Sequence, residues 1–349
     1  MEGIVGAGTS VVLHVALHTP GTVALIKEID MTRKMKVLVT ATNYSALCAD
    51  AKKLLESNNC EITENPFGRP MTFDELSSYV PDADAVVVGV DTWDESVFRI
   101  APNLKVLSRF GVGVDNIDIE KAREFGIKVT NAAGKNANAV AELTIGLILS
   151  AMRSIPALQQ STRQGRWDRF VGEELISRTI GLLGFGCIAQ KVARKLSGFD
   201  VEILAHDKYP NLEAARNLNV SMESWEHVLE RSDVVCMLLP NLKETRHFMN
   251  EKTFSMMKDK AYFINTARGA LVDEKALYAA LQRGKLSAAA IDVYEREPTS
   301  IDNPLFTLKN IVTTPHTAAE TYETYHEIGL FTAQAILDVF AGKKPSNLL

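Results

Sequence analysis

The feature that most limits what this chain can fold into is an alternation, from Lys36 onward, of short apolar runs with helical stretches. Lys36 to Thr40 (KVLVT), Ala85 to Val90 (AVVVGV), Lys105 to Phe110 (KVLSRF) and Ile127 to Thr130 (IKVT) are brief and mostly apolar. Runs of that kind are what strands buried on both faces show. Helical stretches fall between them: about Tyr44 to Ser57, a short helix opened by Thr72-Phe73-Asp74-Glu75 at capping-box spacing, and one near Ile117 to Phe125. A second series follows. Its strands are Thr179 to Leu183, Val201 to Ala205, Asp233 to Leu239, Ala261 to Asn265, Ala288 to Val293 and Asn310 to Thr313. Its helices are Gly184 to Lys195 after a loop, Ser224 to Glu230, and Asp273 to Arg283 closed by Gly284. This predicts an α/β protein with two doubly wound parallel sheets. A length of 349 residues suits two domains at about 150 residues each.

Three segments stand apart from that rhythm. Asn138 to Arg153, counted from Asn136, is long and apolar on most faces, so another domain or subunit must cover it. The last helix, about Ala318 to Phe340, exceeds what the second sheet needs and is expected to cross back to the first unit. Residues 1–34 lie outside the pattern. They could form one or two strands around His18-Thr19-Pro20-Gly21. Gly3, Gly6 and Gly8 resemble a loose glycine loop, but no strand precedes them and no helix follows. The plain reading is an extension that adds a hairpin or a partner contact.

Composition removes several classes of function. Hydrophobic residues are 46% and charged residues 23%, which excludes a largely disordered chain. A net charge of −5 argues against nucleic acid or an anionic membrane as partner. Cys48, Cys60, Cys187 and Cys236 have neither metal-ligand spacing nor the density of a disulfide framework. No metal and a reducing, cytoplasmic setting are therefore expected. No apolar run reaches about 18 residues, so no membrane span is expected. Val11 to Ile26 is broken by His14, His18, Pro20 and Gly21 and is a poor signal peptide.

Ile180-Gly181-Leu182-Leu183-Gly184-Phe185-Gly186-Cys187-Ile188-Ala189 reads as strand, G-x-G-x-x-A turn, helix. Gly184 permits the tight turn, Gly186 lets a pyrophosphate approach the backbone, and Ala189 lets the helix pack close. The amides at the helix start, from Gly186 through Cys187 and Ile188, then face the phosphates. Asp207 ends the next strand, where an acid accepts both ribose hydroxyls and repels a 2′-phosphate. The motif predicts NAD rather than NADP.

Three polar segments follow strands of the second series: Asn265-Thr266-Ala267-Arg268-Gly269, Asp292 to Pro298 (DVYEREP), and Thr314-Pro315-His316-Thr317-Ala318-Ala319. Doubly wound folds place ligands at such strand ends. Singly, Arg268 could be a surface ion pair, Glu297 a solvated acid and His316 a helix-start residue. Their joint occurrence in one cofactor-binding sheet favours a site.

With RFGVGVDNID (Arg109 to Asp118) and NAVAEL (Asn138 to Leu143), these motifs make the chain from about Lys36 resemble the D-isomer-specific 2-hydroxyacid dehydrogenase family. The resemblance implies a substrate domain split into residues 35–134 and 317–349, with a Rossmann NAD domain, residues 135–316, inserted between its parts. It implies a homodimer in which the helix near Asn138 to Arg153 helps make the interface. It implies an enzyme moving a hydride between NAD and C2 of a small 2-hydroxy or 2-oxo acid. By position, Arg268 matches the substrate-binding arginine, whose fork suits a carboxylate. His316 matches the general acid/base. Glu297 matches its acidic partner, which orients it and favours its charged form. Val112 and Gly113 match the loop whose amides hold the substrate carboxylate. Asp292 matches a contact to the nicotinamide amide, and Pro240, Thr266 and Ala267 line the cofactor.

Two segments depart from the family pattern. Ala318-Ala319 replaces the usual glycines after the histidine, and Asn131-Ala132-Ala133-Gly134 lacks the usual proline, which loosens a loop near the hinge. Leu104 to Pro156 looks most like the phosphoglycerate dehydrogenase branch. That branch often carries a further regulatory domain, and the sequence stops at Leu349, so a short form is expected. A phosphate needs cations at the substrate mouth, and Arg69, Arg99 and Arg109 are the candidates in the first unit. 3-Phosphoglycerate is thus placed slightly ahead of hydroxypyruvate and glyoxylate. The alternative from another class is an NAD-sensing corepressor on the same fold.

Overall fold

In the computed structural model, residues 33–349 are described. The expected hairpin within residues 1–32 lies outside them. The first sheet has five strands: β1 (Met35–Val39), β2 (Cys60–Glu64), β3 (Ala85–Val88), β4 (Val106–Arg109) and β5 (Lys128–Thr130). All pair in parallel, in the order β2-β1-β3-β4-β5. The central strand β3 is buried throughout, as its unbroken apolar run requires. Strand β2 (CEITE) was not anticipated. It lies at the sheet edge and alternates buried with exposed residues, so it lacks the continuous apolar signature of its neighbours.

The helix expected over Tyr44 to Ser57 is two helices, Tyr44–Leu47 and Ala49–Ser57, joined at Cys48. The Cys48 thiol turns into the core and donates to the Tyr325 carbonyl at 3.3 Å. The capping box at Thr72 forms as expected, with the Thr72 hydroxyl accepting from the Glu75 amide and the Glu75 carboxylate accepting from the Thr72 amide.

The second sheet has seven parallel strands: β6 (Thr179–Leu183), β7 (Glu202–His206), β8 (Val220–Met222), β9 (Val234–Met237), β10 (Ala261–Asn265), β11 (Leu286–Ile291) and β12 (Ile311–Thr313). Their order is β12-β11-β10-β9-β6-β7-β8. The order reverses between β6 and β9, the switch point at which such sheets bind ligands. The three-residue edge strand β8 was also not anticipated.

The long apolar helix is Ala137–Met152. It packs on β10, β11 and β12 and on the helix Cys187–Leu196. The last helix, Tyr322–Phe340, packs instead on the helix Ala49–Ser57 and on β4. Tyr325, Ala333, Ile336 and Val339 share a core with Val37, Val39 and Leu55 of the first sheet. It begins at Tyr322 rather than Ala318 because Thr321 caps it, its hydroxyl accepting from the Thr324 amide at 3.1 Å. Among the described residues, no single helix is long and apolar enough to cross a membrane, and no three His, Cys, Asp or Glu cluster to hold a metal.

Candidate active site

The glycine turn is forced at one residue and open at the next. Gly184 sits at φ +103°, and a Cβ there would come within 2.6 Å of the Leu238 carbonyl oxygen. Only glycine fits. A Cβ on Gly186 would meet nothing within 4 Å. Gly186 caps the ten-residue helix Cys187–Leu196, and among the described residues no side chain satisfies the amides that follow. Uncapped amides, the positive end of a helix and open space in front of them together make an anion site. Cys187 and Ile188 stand at its rim, the Cys187 thiol exposed and Ile188 half-buried. Asp207, just past β7, accepts from the Phe185 amide at 2.7 Å and from the Tyr209 amide at 2.8 Å. Its carboxylate thereby stands at the mouth of the turn. These residues fit a dinucleotide with an unphosphorylated ribose.

Further along the sheet, the ends of β10, β11 and β12 are tied together through Asp292. Its carboxylate is fully buried and accepts from the Thr314 hydroxyl at 2.6 Å and from the Thr317 and Ala318 amides at 2.9 Å each. Asp292 was expected at the nicotinamide amide, and its bonds pin the His316 loop. The His316 amide also donates to the Asp292 carbonyl at 2.7 Å. His316 itself is held at φ +51°, a conformation that costs a non-glycine residue energy and is kept where the surroundings enforce it.

That backbone places His316 Nδ1 at 2.5 Å from Glu297 Oε2. The other Glu297 oxygen accepts from the Tyr294 amide at 2.9 Å. Burial raises the affinity of the Glu297 carboxyl for a proton. The His316 and Tyr294 hydrogen bonds and the charges of His316 and Arg268 outweigh it and hold the carboxyl below its ordinary value. The His316 side chain keeps 46% of its surface exposed, so its second ring nitrogen can meet a substrate.

Arg268 leaves the end of β10 and crosses to the first sheet. Its Nη1 donates to the Ala267 carbonyl at 2.8 Å, and its Nε donates to Asp115 at 3.1 Å. Its Nη2 lies against Gly113, where a Cβ would sit only 1.9 Å away, so glycine is required by contact. The loop it meets is held from behind. Asn131 donates to the Val112 carbonyl at 2.8 Å, and Arg109 Nε donates to the Gly113 carbonyl at 3.0 Å. The Val112 and Gly113 amides make no hydrogen bond among the described residues. They are free to receive an anion.

Pro240 is exposed on the loop after β9. Thr266 is buried, its hydroxyl 2.8 Å from that of Thr144, and the Ala267 amide donates to Asn265 at 3.0 Å. The structure therefore brings Arg268, Glu297 and His316 to adjoining strand ends, with Val112 and Gly113 opposite.

Residues 145–318 match the model of the D-isomer specific 2-hydroxyacid dehydrogenase NAD binding domain. The glyoxylate reductase of Thermofilum pendens is 39% identical over 80% of this chain and 85% of its own length. The chain belongs to this family. A D-3-phosphoglycerate dehydrogenase of Archaeoglobus fulgidus is 40% identical over 90% of this chain, but the chain spans only 59% of that relative's length. A crystal structure of a Thermus thermophilus protein superposes with a TM-score of 0.83 at 34% identity, covering 90% of this chain and all of that one.

As a member of the D-isomer-specific 2-hydroxyacid dehydrogenases, the chain carries that family's NAD-binding domain, and the turn at Gly184 and Asp207 lies within it. Two further residues meet at the site without a mark of that contact in the sequence. Asp115 and Asn241 meet at 3.2 Å across the cleft. Asp115 lies inside the quoted GVGVDNID motif, but only the fold shows that it reaches the second sheet. Asn241 sits in an irregular loop with no periodicity to mark it.

Proposed function

We propose that the chain is an NAD-dependent oxidoreductase of small, unphosphorylated 2-oxo and 2-hydroxy acids such as glyoxylate and hydroxypyruvate. The observation that supports it most is the convergence of three groups: the Glu297–His316 pair, the Arg268 fork, and the free amides of Val112 and Gly113. Arg268, through the Nη2 that Asp115 and Ala267 leave free, and the two amides bind the substrate carboxylate. The His316 ring nitrogen not used by Glu297 gives a proton to the 2-oxo oxygen in reduction and removes it from the hydroxyl in oxidation. Glu297 fixes the ring's orientation through Nδ1. Gly184, Gly186, Cys187, Ile188 and Asp207 would hold NAD, with Pro240, Thr266 and Ala267 lining it, and the bound cofactor would donate hydride to C2 as NADH or accept it as NAD+. Asp292 serves by anchoring the loop that carries His316.

The cations of the first unit favour an unphosphorylated substrate. Arg69 is bound to Glu75 through both terminal nitrogens, Arg99 is paired with Glu95, and Arg109 is spent on backbone carbonyls. All three already have partners, which supports an unphosphorylated substrate over a phosphorylated one. The identity to the Archaeoglobus relative favours 3-phosphoglycerate as the second reading. The test is NADH consumption with glyoxylate and hydroxypyruvate, run beside NAD reduction by 3-phosphoglycerate. Turnover of the oxo acids alone is expected. Turnover of 3-phosphoglycerate alone would overturn the substrate class, and turnover of none would favour the corepressor reading.

The domain division is part of the proposal: residues 35–134 with 317–349 bind substrate, and residues 135–316 bind cofactor. The packing of the last helix on β4 supports it. So is a homodimer. Ile155, Trp167, Phe170, Val171 and Ile176 are large, apolar and exposed along one segment, a surface that marks a partner contact. Four free cysteines, three of them buried, support a reducing, cytoplasmic setting.

A further inference from the structure

Two guanidinium groups converge on the Gly113 loop. Arg109 approaches from the first sheet, donating to the Gly113 and Phe110 carbonyls. Arg268 approaches from the second, with Nη2 pressed on Gly113. Burial lowers the proton affinity of Arg109, and the Arg268 charge lowers it further, holding it down to about 10. Like charges so close, in a half-buried site, need an anion between them.

Asp91 and Asp115 both supply such a charge to Arg109, and Asp115 alone of the two is also bonded to Arg268. Asp115 stands on the loop after β4, and its two oxygens are divided between two loops of the other sheet. Oδ2 accepts from Arg268 Nε at 3.1 Å, and Oδ1 accepts from Asn241 Nδ2 at 3.2 Å. The Arg268 charge, with its hydrogen bond and that of Asn241, overcomes partial burial and keeps the Asp115 carboxyl below its ordinary value. Arg268 then has its Nε edge on Asp115 and Nη1 on the Ala267 carbonyl. Its Nη2 is the nitrogen left facing the free amides of Val112 and Gly113. An arginine released from Asp115 would keep its charge but lose that aim.

We propose that Asp115 is a positioning residue and, with Asn241, an interdomain clasp: it aims Arg268 at the substrate carboxylate by bonding across the cleft. The clasp ties carboxylate binding to approach of the two sheets, because Arg268 reaches Gly113 only when they are together. The role rests on the proposed 2-oxo acid activity.

The test compares Asp115→Ala, Asp115→Asn and Asn241→Ala in the full chain, with NADH and whichever of glyoxylate or hydroxypyruvate the wild type reduces. Asp115→Ala is expected to raise KM for the oxo acid about tenfold or more, the usual scale for a lost charged hydrogen bond, while the Kd for NADH measured by fluorescence stays unchanged. Asp115→Asn keeps an acceptor oxygen and is expected to recover part of the loss. Asn241→Ala is expected to move KM the same way by less. Wild-type KM in Asp115→Ala, or an equal loss in NADH affinity, would overturn the role. Small-angle scattering of the NADH-loaded protein gives a second arm that needs no turnover. Asp115→Ala, or Asp115→Asn if the first does not fold, is expected to be more expanded than the wild type, and identical profiles would overturn the clasp. A wild type that reduces neither oxo acid would count against the proposed function alone, since the scattering still judges the clasp.

Discussion

The carboxyl ends of the two sheets are built differently, and the difference divides the labour of the site. At the end of the seven-stranded sheet, polar side chains keep donors and acceptors available. Nearly half of the His316 surface is exposed, and Arg268 retains Nη2. At the end of the five-stranded sheet, the nearest cation, Arg109, is spent on the Gly113, Phe110 and Val88 carbonyls. What that end offers is backbone: the amides of Val112 and Gly113 on a loop braced by Arg109 and Asn131. One side supplies the cation and a proton; the other supplies shape, neutral donors and the Asp115 carboxylate that aims the cation. A carboxylate held between them has its negative charge met mainly from one side, which leaves the carbonyl next to it within reach of His316.

Substitutions on the two sides should therefore fail in different ways. The largest effect short of removing His316 is expected at Arg268. Arg268→Lys keeps the charge but loses the fork, and KM for the oxo acid should rise about 10- to 100-fold. Steady-state kinetics check it, and an unchanged KM would remove the Arg268 contact from the account. Asp207→Ala touches only the ribose end of the same sheet. Its NADP/NAD ratio of kcat/KM should rise about tenfold, equal to about 1.4 kcal/mol, and no rise would dissociate Asp207 from cofactor choice. Arg109→Lys acts on the shape side. It should cost about 1–3 kcal/mol of stability by leaving loop carbonyls unpaired, read as a lower denaturant midpoint, with NADH affinity unchanged.

The smallest effect concerns pH. Glu297 binds its proton more weakly in the folded protein than in the open chain. Its contribution is therefore present above the ordinary carboxylate value of about 4.3 and is lost as pH falls through the depressed folded value. The wild-type rate should fall along an acid limb in that window. Glu297→Gln should lack this limb and run at a lower plateau, and superimposable profiles would take Glu297 out of the mechanism.

Much of the seven-stranded sheet could be read in the sequence because its central strands are buried on both faces. β6 and β10 begin and end where their apolar runs do. The edge strands β2 and β8 escaped because most of their residues are exposed or only partly buried and their signal merges with that of loops. The same distinction applies to the site. Gly184 and Asp207 sit directly after strands, and Arg268, Glu297 and His316 sit in the short segments that follow strands, where a motif can mark them. The contacts that aim them depend on residues distant in the chain. Asp115 meets Arg268 across 153 positions, and Asp292 braces Ala318 across 26. No local spacing encodes such pairings.

The central claim is that His316 carries the proton while other groups hold the ligands. The most direct test is the rate of NADH oxidation with glyoxylate or hydroxypyruvate by wild type and His316→Ala, alongside the Kd of each for NADH. The account predicts a kcat lower by about 10²- to 10⁴-fold with NADH binding unchanged. Turnover by His316→Ala close to that of an active wild type would contradict it.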